Sequence, residues 1–170
     1  MKTYLFGLFF LGLTNLMFAQ NDLAFVSVTD QMPLTNNKTV QNESYINTMS
    51  DFNGSKIIMK LQNVVANYNI KATDVYSKNS TTTYTVNLKE GNNELIAVYD
   101  KDGQLLSCQE NYQEIKLPYE LSSKLIKENP GWALNKVYCN IEYSKESEKE
   151  ISYKVVLKNG KKTKTVKINV

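Results

Sequence analysis

Two cysteines, a pair of nearby acids and a run of lysines are the side chains in this sequence whose types and spacing could do chemistry. The chain contains no histidine. That removes the commonest general base, the commonest zinc ligand and every Ser–His or Cys–His nucleophile pair. Two cysteines without histidine also make a poor metal site. The sequence therefore predicts no catalytic residues, no metal site and no cofactor.

Cys108 and Cys139 could form a disulfide, because a pair of cysteines in an oxidising compartment favours one. The alternative is two small buried residues that never meet, since free cysteine packs as a small apolar side chain. A bridge needs Cα atoms within about 7 Å of each other. The two residues must therefore lie on adjacent strands or on a close diagonal.

Glu110 and Glu114 are the acids that could serve as paired carboxylates. In glycosidases such acids face each other across a cleft, roughly 5 to 9 Å apart. The sequence predicts no cleft here, so both are interpreted as solvated residues near a strand end. Asp100 to Gly103 begins like a calcium loop but lacks its remaining ligands. It is interpreted as a hairpin turn.

The C-terminal segment is rich in lysine, with Lys154, Lys158, Lys161, Lys162, Lys164 and Lys167. Such a patch could bind an anionic surface. Lysines also protect exposed edge strands against aggregation, and we favour that interpretation.

Tyrosines are expected on the outward face of the strands, because inward and outward side chains alternate. Tyrosine suits recognition surfaces, since it offers a large contact area at a low entropic cost. The alternative is that these tyrosines pack across strands and support the sheet. The predicted binding residues are Tyr76, Thr85, Asn87, Tyr138, Lys154 and Val156.

A repeated phrase indicates which elements carry these residues: Tyr84 to Gly91 reads YTVNLKEG, and Tyr153 to Gly160 reads YKVVLKNG. Its Tyr, Val and Leu occupy alternate positions and so share one sheet face, while Gly supplies the positive φ of a turn. The pattern is typical of core and turn chemistry. We interpret the phrase as the middle strand and turn of a unit with one helix and three strands.

Apolar residues at helical spacing predict one helix from Ser55 and a second from Pro118 to about Asn129. Period-two alternation follows each helix. The predicted fold is α+β, with two helix–β–β–β units forming an antiparallel sheet and both helices on one face. Its predicted strands cover residues 68–76, 82–89, 94–99, 104–112, 133–143, 151–158 and 163–170.

The N-terminal part of the chain is expected to lie outside this domain. Residues 1–20 have a lysine followed by an apolar run of about ten residues, which is typical of a signal peptide and too short for a membrane span. The protein is therefore expected to be exported to the periplasm or the extracellular space, with no stable membrane span after cleavage. Residues 21–54 are interpreted as an irregular lead-in, in which Leu23 to Val28 could form a short strand.

The segments KLPYELSSKLIKENPGW, VYCNIEY and YKVVLKNGKKTKTVKINV, all within Lys116 to Val170, resemble the PepSY-like module of secreted bacterial proteins, described as β-lactamase-inhibitor-like. The first copy resembles it through its hairpin and the following D-x-x-G turn. The resemblance implies a domain over residues 55–170, with repeats at about 55–112 and 116–170. It implies helices packed on an antiparallel sheet, and no catalytic residues.

The expected function is an exported, non-enzymatic binding or inhibitor-like module that uses the exposed face of its sheet. Its expected partner is a protein or peptide rather than nucleic acid. Two alternatives stay open at this point. One is a secreted hydrolase without histidine, and the other is an envelope protein that adheres to anionic polymers through the lysine-rich hairpin.

Overall fold

A seven-stranded sheet organises the protein. The computed structural model describes residues 22–27, 40–50, 55–78 and 83–170. The helices are α1 (Glu43–Met49), α2 (Lys56–Asn67) and α3 (Tyr119–Glu128), with a 3₁₀ turn at Ile70–Ala72. The strands are β1 (Asp22–Ser27), β2 (Tyr84–Glu90), β3 (Asn93–Tyr99), β4 (Leu105–Gln113), β5 (Ala133–Ser144), β6 (Ser147–Asn159) and β7 (Lys162–Asn169).

The strands lie in the sheet in chain order. β2 to β7 pair antiparallel, each with its sequence neighbour, whereas β1 pairs parallel with β2. Short turns suffice for most antiparallel neighbours, and the longer connection from β4 to β5 carries α3. The expected α+β class with an antiparallel sheet is confirmed.

The repeated phrase forms β2 and β6, and its apolar residues lie in the core as expected. All six of these side chains are buried: Tyr84, Val86, Leu88, Tyr153, Val155 and Leu157. Gly91 and Gly160 follow the two strands with φ of 59° and 57°, a conformation that costs glycine little. However, the phrase is the middle strand only in the second copy, because the described residues between α2 and β2 contain no strand.

The strand predicted over residues 68–76 is therefore wrong. The segment makes the 3₁₀ turn instead, in which the backbone N–H of Thr73 donates to Ile70 O. The Thr73 hydroxyl donates to the same oxygen at 2.7 Å. Such local side-chain bonds offer the backbone an alternative to a strand ladder. Tyr68 and Ile70 are both buried, so the apolar character of the segment reflects core packing.

Helix α1 lies inside residues 21–54, which the sequence suggests are irregular. A helix of this length is not stable alone and depends on tertiary contacts. Tyr45 and Met49, one turn apart, are its buried residues. Asn42 precedes the helix, and its amide donates to Ala66 O at 3.2 Å and to Gly103 O at 3.3 Å. Asn42 Oδ1 accepts the Leu105 N–H at 2.8 Å, so one side chain joins α1, α2 and the turn before β4.

Helices α2 and α3 begin within a residue of their predicted starts. The buried positions Ile58, Leu61 and Val65 give α2 its apolar stripe, and Tyr99 on β3 donates its hydroxyl to Val65 O at 2.8 Å. Leu125 of α3 belongs to the same buried cluster. The three helices thus cover the face of the sheet that carries the repeated Tyr, Val and Leu. None of the helices in the described ranges is long and apolar enough to cross a membrane.

The predicted signal peptide, residues 1–20, lies outside the described residues.

Candidate functional site

The face of the sheet opposite the helices is the candidate site, and we call it the open face. Its side chains alternate with the core positions of β2 to β7, so cross-strand partners form rows. The acidic row is Gln109, Glu142 and Glu150. The neutral row is Asn111, Asn140, Ser152 and Asn169. The basic row is Gln113, Tyr138, Lys154 and Lys167.

Tyr138 and Lys154 are the predicted binding residues that the structure brings together. They are direct partners on β5 and β6, and Lys154 Nζ lies 4.5 Å from the centre of the Tyr138 ring. Such a cation–π contact is worth about 0.5 to 1 kcal/mol at an exposed site. Val156, half-buried, lies two residues further along β6 on the same face. These three residues therefore lie together on the open face.

Thr85 and Asn87 lie on the open face but away from that patch. They belong to β2, and β3 and β4 separate them from Tyr138 on β5. At about 4.8 Å a strand, the gap is roughly 14 Å. Both side chains are buried, and Asn87 Nδ2 donates to Glu94 Oε1 at 2.8 Å. They are therefore not part of an accessible surface with Tyr138.

The placement of Tyr76 on the open face is wrong. Its ring packs 5.7 Å from that of Tyr84, a core residue, and its hydroxyl donates to Lys101 O at 3.1 Å. Val75, which the alternation of the predicted strand would turn inward, is 40% exposed. The reversal follows from the 3₁₀ turn, because the alternation of a strand does not apply to residues outside one.

Two shallow depressions lie on the open face. One, of about 530 Å³, is lined by the neutral and basic rows, with no acidic side chain among its lining residues. The other, of about 350 Å³, lies against the acidic row and also includes Glu148. The apolar side chains at its edge are Ile96 and Val98 of β3. The open face therefore carries charge of opposite sign at its two ends.

A buried carboxyl group lies on the opposite, helix-covered face. Glu110 is fully buried, and it accepts hydrogen bonds from Tyr45 Oη at 2.6 Å, Tyr112 Oη at 2.7 Å and Gln62 Nε2 at 3.0 Å. Burial raises the pKa of Glu110, and the three hydrogen bonds partly oppose that shift. The interpretation of Glu110 as a solvated strand-end acid is wrong. The alternation of inward and outward side chains along β4 could have corrected it, because Glu110 lies two residues from both Cys108 and Tyr112 on the inward side.

The groups around Glu110 are neutral. Burial raises the pKa of Tyr45 and of Tyr112, so both phenols stay protonated and donate. Burial also raises the pKa of the Cys108 thiol, which makes it a poor nucleophile. Glu114 does not join the cluster, since it is exposed. The arrangement can anchor α1 and α2 to β4, but it offers no access to a substrate.

Cys108 and Cys139 are both free and buried, so the second of the two alternatives, separate buried thiols, describes them. They lie on adjacent strands, but Cys108 pairs with Tyr143 and Cys139 pairs with Tyr112. The four-residue offset along the strands corresponds to about 13 Å, beyond the 7 Å or so that a bridge allows.

Titration of the thiols tests this geometry. The folded protein should react slowly with a thiol reagent, because burial raises the pKa of Cys108 well above 9.0 and that of Cys139 to about 12. In denaturant without reductant, two thiols per chain should react at once. A denatured chain that showed no reactive thiol until it was reduced would contradict the structure.

The lysines of the C-terminal hairpin do not form one patch. Lys154, Lys158 and Lys167 alternate onto the open face. Lys164 pairs with Leu157, a core residue, and so belongs to the helix-covered side. There its ammonium lies 4.5 Å from the centre of the Trp132 ring and donates to Asn129 Oδ1. The hairpin therefore divides its charge between the two faces of the sheet.

Within the described ranges, no group of three or more Cys, Asp or Glu side chains is placed to hold a metal ion. The chain matches no model of a known protein family, no curated protein and no solved structure.

Proposed function

We propose that the protein is an exported, non-enzymatic binding module that recognises a protein or peptide through the open face of its sheet. The observation that carries the proposal is the Tyr138–Lys154 pair, which lies beside amide and hydroxyl side chains on a face that none of the described helices covers. Aromatic and amide groups provide contact area and hydrogen bonds at recognition surfaces. Export rests on the signal-like segment at residues 1–20.

We also propose that the domain is PepSY-like, with the β-lactamase-inhibitor-like arrangement of two related units. The element order supports this, since α2 is followed by β2, β3 and β4, and α3 by β5, β6 and β7. The hairpins β2–β3 and β6–β7 then correspond through the repeated phrase. The first unit departs from the second where the 3₁₀ turn replaces a strand.

A hydrolase is the less favoured alternative. Burial raises the pKa of the carboxyl, phenol and thiol groups around Glu110, and no substrate can reach them. On the open face the acids are exposed and their environment is solvated. These observations favour a binding role.

Adhesion to an anionic polymer is a second candidate, favoured by the lysines at one end of the open face. Lys136, Lys154, Lys158 and Lys167 are all exposed there. Binding of this kind should fall steeply with salt, because interactions between exposed charges are screened beyond about 10 Å at 0.1 M. Recognition of a protein or peptide through Tyr138 should depend less on salt.

Tyr138→Ala should separate recognition from structural support. We expect a loss of at most about 1 kcal/mol of folding free energy, because the side chain is half-buried and loses its contact with Lys154. Retention of a partner from periplasm or culture medium should fall by about 2 kcal/mol or more. The melting temperature and the retained fraction are measured on the same sample of mature protein.

Tyr119→Ala is the matched control. Tyr119 is 83% exposed on α3, on the other side of the sheet, so its removal should change neither quantity. A Tyr138→Ala protein that is destabilised by several kcal/mol but retains the partner normally would make Tyr138 a structural residue. A partner lost equally from both variants would place the recognition surface elsewhere.

A further inference from the structure

The open face is polarised along its strands. The outward residues of β6 run Glu148, Glu150, Ser152, Lys154, Val156 and Lys158. Those of β5 repeat the order in the antiparallel direction, from Lys136 and Tyr138 through Asn140 to Glu142. On both strands the neutral row lies midway between the acidic and basic rows. The acidic and basic rows are four residues apart, or about 13 Å.

Among the described residues, no ion pair includes these charges, and Lys154 contacts only the Tyr138 ring. The ion pairs among the described residues are Lys60–Glu90 and Lys89–Glu94, and neither includes the acidic or basic row. Glu142, Glu150, Lys154 and Lys167 are all exposed. Both signs are therefore available to a second surface.

A symmetric arrangement satisfies both rows at once. When the open faces of two copies lie against each other, a two-fold axis can run between them, parallel to the neutral row. This axis places the basic row of one copy over the acidic row of the other, strand on strand. Glu150 then faces Lys154 of the second copy, and Glu142 faces Tyr138 together with the ammonium that lies over its ring. A two-fold axis along the strands would instead set acid against acid.

We propose that the partner of the open face is a second copy of this chain, which forms a symmetric dimer with the two sheets face to face. This rests on the proposed function, because it uses the same face and names its occupant. Symmetric pairs of this kind require a self-complementary patch, and the polarised rows provide one. The twist of the sheets would set the two sets of strands about 30° apart.

The available area is sufficient for a reversible dimer. Five strands, β3 to β7, span about 24 Å, and the outward residues of β6 from Glu148 to Val156 extend for about 26 Å along them. This gives about 600 Å² on each copy, or roughly 1,200 Å² in total, at the lower limit of standard interfaces. The neutral row at the axis is amide and hydroxyl from β4 to β7, and on β3 it ends at Glu94, which is paired with Lys89, so a wet and salt-sensitive contact is expected.

Exchange of charges within one strand tests the proposal. Sedimentation velocity of the mature protein over a range of concentrations should show a monomer–dimer equilibrium that shifts to monomer at high salt. Glu150→Lys or Lys154→Glu alone should weaken the dimer by at least about tenfold, since each sets like charges against each other. The double variant, Glu150→Lys with Lys154→Glu, restores opposite charges between positions 150 and 154 and should dimerise more strongly than either single variant, although it lacks the ammonium that faces Glu142.

Lys161→Glu is the control, because Lys161 lies in the β6–β7 turn, outside the acidic and basic rows. A wild-type protein that stays monomeric at every concentration would overturn the dimer. So would a dimer that all three variants form equally well. If a monomeric protein still retains a foreign partner in a Tyr138-dependent way, the binding module stands and only its occupant is wrong. A protein that neither dimerises nor retains a foreign partner through Tyr138 would show that the open face is not a binding site.

Discussion

Glu110→Ala should lower the free energy of unfolding by about 4 kcal/mol, enough to unfold a marginal protein. The substitution leaves Tyr45 Oη, Tyr112 Oη and Gln62 Nε2 buried without their acceptor. Each orphaned donor costs about 1 to 3 kcal/mol, and the cavity adds to this. Urea denaturation at pH 7 measures the loss. A change below about 1 kcal/mol would show that these donors find other partners.

Glu110→Gln is the conservative control, and it makes the effect of ionisation visible. The variant keeps the shape of the side chain and one carbonyl acceptor but cannot ionise. It should therefore retain most of the stability that the Ala variant loses. We expect a cost of about 1 kcal/mol, because the new amide meets a donor on one side.

The two proteins should also differ in pH dependence. Burial raises the pKa of Glu110 above its ordinary value of 4.5. The folded state thus holds this proton more tightly than the unfolded state does, so the stabilisation is complete below pH 4.5 or so and is lost as the pH rises through the folded pKa. No cation lies among the groups that face the carboxyl, which are Tyr45, Gln62, Cys108 and Tyr112.

The measurement is the difference in unfolding free energy between wild type and Glu110→Gln from pH 4 to pH 8. The wild type should lose stability relative to Glu110→Gln as the pH rises. The other carboxyl groups are common to both proteins, so their contributions cancel in the difference. A difference that moves the opposite way would mean that the hydrogen bonds outweigh burial and that Glu110 is a stabilised carboxylate.

Leu88→Ala and Leu157→Ala should each cost about 2 to 5 kcal/mol, because both side chains are fully buried at the same position of the repeated phrase. Neither replacement changes a turn or a hydrogen bond, so the loss measures packing alone. Thermal or urea denaturation of the two variants gives the values. A cost below 1 kcal/mol at either site would mean that the two copies do not share one core.

Exposed neighbours provide the controls for this pair. Asn92→Ala and Lys158→Ala change exposed positions close to the two leucines and should stay within about 0.5 kcal/mol of wild type.

The sheet from β2 to β7 could be predicted from the sequence because its signals are local. Alternation marks the buried side of each strand, and glycine marks the turns after β2 and β6. The segment at 68–76 has the apolar residues of a strand, but they are apolar because they pack in the core. The Tyr68 ring lies 5.8 Å from that of Tyr99, a residue distant in sequence. Helix α1 was missed for a similar reason, because Asn42 and Tyr45 find their partners on α2, β4 and the turn before β4.

The candidate site was predictable where strand parity held. Tyr138, Lys154 and Val156 follow from the alternation of β5 and β6. Tyr76 does not lie on a strand, so the alternation of a strand does not determine which way its side chain points. The burial of Thr85 and Asn87 depends on neighbours across the sheet, and β1 lies beyond β2. Glu110 alternates with the buried positions Cys108 and Tyr112, whereas its charge is typical of an exposed residue.

The order of the strands has a consequence for how the chain folds. Each strand from β3 to β7 pairs with the strand synthesised just before it, so the entropy of loop closure is small at most steps and folding is expected to be fast for a sheet protein. β1 is the exception, because its parallel partner follows only after α1 and α2. Among the described strands β1 pairs with β2, so one strand ladder offsets the cost of closing that long loop. β1 is therefore expected to join the sheet last during folding and to separate from it first.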